Sequence, residues 1–140
     1  MAKNAKNSAF IILDRDGVIN FESKDYIKTP EEWLPIPGSL EAIALLSQAG
    51  YTIAVATNQS GVGRGFYTDA DLMVIHQKML SSIKALGGQV DKVFYCPHLP
   101  DDQCCCRKPG IGLFEQIADY YQLDLRGIIA IGDSLRDINE

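Results

Sequence analysis

The chain has 140 residues, of which 46% are hydrophobic, 22% charged and 9% aromatic. Twelve Gly and six Pro are far too few for a collagen or low-complexity chain, and the apolar content is too high for a disordered tail. No apolar run reaches the roughly 18 residues that span a bilayer, and 13 Lys and Arg against 18 Asp and Glu leave a formal charge of −5, which argues against a nucleic-acid partner held by phosphate neutralisation.

Met1 to Ser8 is polar and lacks the apolar core of a secretory signal, so residues 1–8 are read as a disordered tail and a cytoplasmic location is expected. Residues 9–140 are read as one domain. Phe10 to Leu13 is a short apolar run with the character of a buried strand. Leu40, Ile43, Ala44 and Leu46 recur at helical spacing between Pro37-Gly38 and Gly50, which predicts a helix over 39–49. Tyr51 to Ala56 reads as a second buried strand. Thr68 to Asp71 resembles a capping box with Asp in place of Glu, opening a helix through Leu72, Ile75, Met79 and Ile83 that stops at Gly87-Gly88. Val93 to Tyr95 is a third strand, Leu113, Ile117, Tyr120 and Tyr121 mark a further helix, and Gly127 to Ile131 is a fourth strand.

Strands alternating with helices predict an α/β fold, a Rossmann-like parallel sheet with helices on both faces. Ligands of such sheets bind beyond the carboxyl ends of the strands. Three strand ends carry notable polar residues: Asp14 and Asp16 around Arg15, Thr57-Asn58, and Gly132-Asp133. Two adjacent carboxylates repel, and a divalent cation relieves that repulsion. One of them can attack phosphorus as a nucleophile and the other can move protons. Strand-end Asp residues also cap turns, and Asp-x-Asp alone does not separate the two uses. The distant residues tilt the balance: Thr57 and Asn58 can donate to phosphoryl oxygens, Lys108 offers a point charge, and Asp133 is a third hard-oxygen ligand suited to Mg²⁺.

Leu13-Asp14-Arg15-Asp16-Gly17-Val18, Thr57 to Gly61, Arg107-Lys108-Pro109 and Gly132-Asp133 resemble the four ordered motifs of the haloacid dehalogenase-like (HAD) phosphatases, over nearly the whole chain. Within that superfamily the chain is similar to the heptose bisphosphate phosphatases and the related histidinol-phosphate phosphatases. The resemblance implies a Mg²⁺-dependent phosphomonoesterase without a large cap domain, acting on a small phosphorylated sugar. It implies Asp14 as nucleophile, Asp16 as general acid and base, Thr57 and Lys108 as phosphoryl stabilisers, and Asp14, Asp16 (through its main-chain carbonyl) and Asp133 as Mg²⁺ ligands. Substrate contacts are implied at Asp25 and Tyr26, at Asn58, Gln59 and Ser60, and at Arg107. Val18 stands where relatives often carry Thr, and Ser134 where some carry Lys. The resemblance also implies a further strand and helices beyond Glu140. A competing reading is a zinc-stabilised binding module without turnover.

Cys96, Cys104, Cys105 and Cys106 cluster with His98 within eleven residues, a composition that favours a metal over a disulfide framework. The subgroup pattern, Cys-x-His followed by Cys-x-Cys-Arg-Lys-Pro, implies a zinc-stabilised loop with ligands Cys96, His98, Cys104 and Cys106. Cys105 occupies the spacer and can compete as a ligand. Four protein ligands leave no open position, so the zinc would be structural. Arg64 reads either as a contact for a second phosphate or as a solvated loop residue, His76 as a structural or surface residue, and Trp33 as packing on the core. Nothing in the pattern demands a partner chain, so a monomer is expected.

Overall fold

The computed structural model describes residues 9–97, 112–124 and 128–132. Four parallel strands, β1 (Phe10–Leu13), β2 (Thr52–Asn58), β3 (Lys92–Cys96) and β4 (Ile129–Ile131), form one sheet in the order β3-β2-β1-β4. The helices are α1 (Ser39–Gln48), the short α2 (Ser60–Gly63), α3 (Asp69–Ala85) and α4 (Gly112–Tyr121). The α/β fold read from the sequence is the one observed. Several element ends move by one or two residues, and one shift matters for the site: β2 begins at Thr52 and continues through Thr57 and Asn58, because both residues pair with β3 opposite Tyr95 and Cys96. These two polar residues therefore close the strand rather than follow it.

The two-residue period of β1 and β2 divides the core in two. Ile11, Leu13, Ile53 and Val55 face a cluster that includes Leu40 and Ile43 of α1 and Ile75, Met79 and Ile83 of α3. Phe10, Ile12, Ala54 and Ala56 face Leu113, Phe114, Ile117 and Tyr121 of α4. Helices thus cover both faces, with α1 and α3 on one and α4 on the other. The four residues of β1 are all buried, as expected for a central parallel strand. By contrast, Ile129 and Ile131 of the edge strand β4 are 48% and 44% exposed. No described helix is long and apolar enough to cross a membrane.

Between β1 and α1 the chain makes a long excursion whose regular structure is one 3-10 turn at Pro30–Glu32. Trp33 anchors it, 1% exposed in the core of the α1/α3 face. The Lys78 ammonium of α3 donates to the carbonyls of Pro30 (2.7 Å) and Trp33 (3.2 Å) and lies 5.8 Å from the centre of the Trp33 ring. The loop is therefore fixed to the helix that also supports the site.

Helix α3 starts where the capping pattern placed it. The Thr68 hydroxyl accepts from the Asp71 main-chain N–H, and the Asp71 carboxylate accepts from the Thr68 N–H, both at 3.0 Å. Asp thus closes the box in place of the longer Glu. Thr68→Ala removes one of these bonds and should cost about 1 kcal/mol of folding stability, measured by urea denaturation.

Candidate active site

The strand order puts the site at a reversal of chain direction. From β1 the chain steps outward through β2 to β3, and then returns to the opposite side of β1 as β4. At such a reversal the connections leave the strand ends in opposite directions and open a crevice. Asp14 lies at its floor, its N–H donating to the Ile131 carbonyl of β4 at 3.0 Å. The Asp14 Oδ1 accepts from the Arg15 main-chain N–H at 2.7 Å.

Beyond Asp14 the chain turns sharply. Gly17 has φ +84°, a left-handed conformation that side chains disfavour, and the N–H groups of Val18, Ile19 and Asn20 all point at the Arg15 carbonyl. The turn holds the Asp16 carboxylate among three donors. Its Oδ1 accepts from Arg15 Nε at 2.8 Å and from Asn20 Nδ2 at 2.9 Å, and its Oδ2 accepts from Gln59 Nε2 at 3.3 Å. Arg15 is completely buried whereas the Asp16 side chain is 28% exposed. The guanidinium therefore grips the carboxylate from the protein side and leaves its outer side to the crevice.

A second chain of bonds enters from β2. The Tyr67 hydroxyl donates to Gln59 Oε1 at 2.7 Å, and Gln59 Nε2 donates to Thr57 Oγ1 at 3.0 Å as well as to Asp16. Burial, the largest influence, pushes the Tyr67 hydroxyl up to about 12, so it remains a donor at neutral pH. Thr57 is buried and, having accepted from Gln59, finds as acceptor for its own proton only the Asn58 carbonyl among the described residues, at 3.4 Å. That distance exceeds an ordinary O–H···O bond. The approach of Tyr67 requires Gly61, where an added Cβ would lie 2.2 Å from a carbon of the Tyr67 ring.

Asp14, Asp16, Thr57 and Gln59 are thus brought together. Asn58 ends β2 opposite Cys96, and the buried Ser60 opens α2. Gln59 is buried with its side-chain amide engaged by Asp16, Thr57 and Tyr67. Asp25 and Tyr26 line an open depression of about 430 Å³ with Lys24, Lys28 and Phe66, and Tyr26 lies near enough to Tyr67 to act on its ionisation. The Tyr26 ring meets Phe66 edge-on at 5.2 Å. Arg64 is exposed at the end of α2. Cys96 is buried at the end of β3, where its carbonyl accepts from the Gln59 N–H at 2.8 Å. The expected sites at His98, Cys104, Cys106, Arg107, Lys108 and Asp133 lie outside the described residues, as do the tail 1–8 and most of the expected zinc loop. Among the described residues no group of three His, Cys, Asp or Glu gathers as a metal site. The Asp14 and Asp16 oxygens in the crevice are the hard donors that Mg²⁺ prefers.

Sequence reasoning passed over Arg15, Asn20, Tyr67 and the contact made by His76. His76 of α3 is 7% exposed, and its Nε2 lies 3.1 Å from Arg15 Nη1. No local signal marks these residues: Arg15 lies beyond the end of β1 at Leu13, in the turn that follows, and its partners Asp16 and His76 are met only in the folded chain.

A family model described as polynucleotide kinase 3 phosphatase matches residues 9–135. D-glycero-β-D-manno-heptose-1,7-bisphosphate 7-phosphatase of Pseudomonas aeruginosa is 55% identical over 130 residues, 93% of this chain and 73% of the relative. The protein of the same name from Neisseria meningitidis serogroup A is 47% identical over 91% of this chain and 68% of its own length. The chain belongs to the polynucleotide kinase 3 phosphatase family, and within it to the heptose bisphosphate phosphatases. A crystal structure from this branch, D,D-heptose 1,7-bisphosphate phosphatase from B. bronchiseptica complexed with magnesium and phosphate, superposes with a TM-score of 0.91 at 53% identity, covering 93% of this chain and 73% of that one. The two chains therefore share one fold over the superposed residues.

Burial, reinforced by the Arg15 charge and opposed by Asp16, lowers the His76 pKa to about 3. Unfolded, His76 takes up a proton near its ordinary value of about 6.5. Its neutral packing therefore contributes fully above that pH, and the contribution is lost as pH falls from about 6.5 toward 3. The stability advantage of the native chain over His76→Gln should accordingly shrink between pH 7 and pH 4, followed by chemical denaturation at each pH. A constant gap would show that the folded protein protonates His76 freely.

Proposed function

We propose that the chain is a Mg²⁺-dependent phosphoric monoester hydrolase that removes the 7-phosphate of D-glycero-β-D-manno-heptose 1,7-bisphosphate through an aspartyl-phosphate. The observation that carries this reading is the 55% identity to a phosphatase of that name, extending over the strands that assemble the Asp14 and Asp16 site. In this reading an Asp14 carboxylate oxygen attacks phosphorus, and the bond from phosphorus to the sugar oxygen breaks. Asp16 gives the departing oxygen its proton. Asp16 then takes a proton from water as that water attacks the aspartyl-phosphate, which releases inorganic phosphate and restores Asp14.

Thr57 supports the reading with a hydroxyl proton whose one acceptor among the described residues is a long contact, so that it can turn to a phosphoryl oxygen. Lys108 would add a positive charge there. Gln59 serves by holding Thr57 and Asp16 in place, a role that its burial favours over a direct substrate contact. Asn58, Ser60, Arg107, Asp25 and Tyr26 are assigned to substrate binding. Mg²⁺, held by Asp14, Asp16 and Asp133, would supply charge neutralisation that lets the Asp14 carboxylate approach an anionic phosphate. Structural Zn²⁺ on Cys96, His98, Cys104 and Cys106 would fix the neighbouring Arg107 and Lys108. We assign the enzyme to the cytoplasm and to a monomeric state.

Phosphate release should be fastest with the heptose bisphosphate in a panel that includes its α anomer, other sugar phosphates and histidinol phosphate, each with Mg²⁺. Inactivity on every member by folded protein would leave the binding-module reading. Asp14→Asn should lower kcat by roughly four orders of magnitude with little change in stability. Cys104→Ser should reduce both bound zinc and activity, and full activity in zinc-free protein would remove the zinc clamp from the account.

A further inference from the structure

Among the described residues Arg15 is the most deeply buried charge beside the site, with no exposed side-chain surface. Burying a guanidinium is costly unless its donors are used. Two of its three nitrogens have partners: Nε donates to Asp16 Oδ1 at 2.8 Å, and Nη1 lies 3.1 Å from His76 Nε2. Nη2 has none. Arginine has no acceptor, so Nη1 must donate and His76 Nε2 must accept. That fixes the tautomer: His76 is neutral with its proton on Nδ1. A planar guanidinium held at two of its nitrogens has little freedom left to rotate.

His76 also stands out within its own helix. It shares the buried side of α3 with Leu72, Ile75, Met79 and Ile83, all apolar. A polar ring in that row costs stability unless it meets a partner, and the partner it meets lies 61 residues away in the turn after β1. Helix α3 is itself held by its capping box, its core side chains and the Lys78 anchor.

We propose that His76 is a positioning residue for catalysis: as acceptor for Arg15 it aims the guanidinium that orients Asp16. The proposal rests on the reading of Asp16 as general acid. An Asp16 carboxyl turned away from the leaving oxygen transfers its proton poorly, whereas attack by Asp14 is unaffected.

That division supplies the test. Departure of a sugar alkoxide needs the proton from Asp16, but departure of p-nitrophenolate does not. The parameter kcat/KM reports steps up to the first irreversible one, here the loss of the leaving group. His76→Leu, which keeps bulk and removes the acceptor, should lower kcat/KM for the heptose bisphosphate about tenfold and for p-nitrophenyl phosphate less than about twofold. His76→Phe replaces it should the Leu variant not fold. His76→Gln, whose amide oxygen can accept from Arg15, should restore most of the sugar phosphate activity. Asp16→Asn is the reference and should show the same bias with a larger loss. Equal losses on both substrates in the His76 variants, with the bias intact in Asp16→Asn, would overturn the proposal and leave His76 a packing residue. Absence of the bias in Asp16→Asn would instead overturn the general-acid reading itself.

Discussion

A buried guanidinium with one carboxylate partner organises this site. Arg15, buried in the turn after β1, grips Asp16 at 2.8 Å, and Asp16 in turn collects Asn20 and Gln59. Removing the Asp16 charge would strand the fully buried Arg15 guanidinium in a low-dielectric surround, which is far more costly than the pair is favourable. The turn from Asp14 to Asn20 is therefore set from within. Its main-chain N–H groups converge on the Arg15 carbonyl while its side chain is fixed by Asp16 and His76. Through the Arg15–Asp16 pair the turn after β1 is joined to α3 by His76 and to the segment after β2 by Gln59.

The sheet supplies the frame. Because β1 lies inside, between β2 and β4, its carboxyl end is flanked on both sides, and Asp14 is bonded to β4 through the Ile131 carbonyl. The core is layered by the alternation of β1 and β2, and α3 lies on the layer that Arg15 faces. The loop between β1 and α1 is drawn onto α3 by Trp33 and Lys78, so the cover beside the crevice and the support beneath Asp16 share one helix.

Much of this was legible in the residues. Each strand and long helix was marked by apolar period and by end signals such as Gly50 and the Thr68 box, because those signals act within a few residues of where they are read. The Asp14 and Asp16 pair was legible because two like charges directly after a buried strand are costly without a purpose. Other features were hidden for physical reasons. The end of β2 was misplaced because Thr57 and Asn58 are polar, yet cross-strand pairing with Tyr95 and Cys96 outweighs that local preference. Gln59 resembled a substrate ligand next to Asn58, and only burial shows its amide engaged by Asp16, Thr57 and Tyr67. Phe94 and Phe114 could be placed in a core, but not on which face, since the face follows from the sheet order.

By itself, then, the sequence determined the α/β class, the elements and the chemistry available at the strand ends. Those depend on period, charge and donor type, which are local properties. Tertiary structure alone decided the order β3-β2-β1-β4, and so which strand ends share a crevice. It decided that Arg15 faces inward, that His76 meets it across 61 residues, and that Tyr67 closes over Gly61 to orient Gln59. Each of these joins residues distant in the chain. Their energies come from desolvation and paired donors that exist only once the core has formed, and no local pattern encodes them.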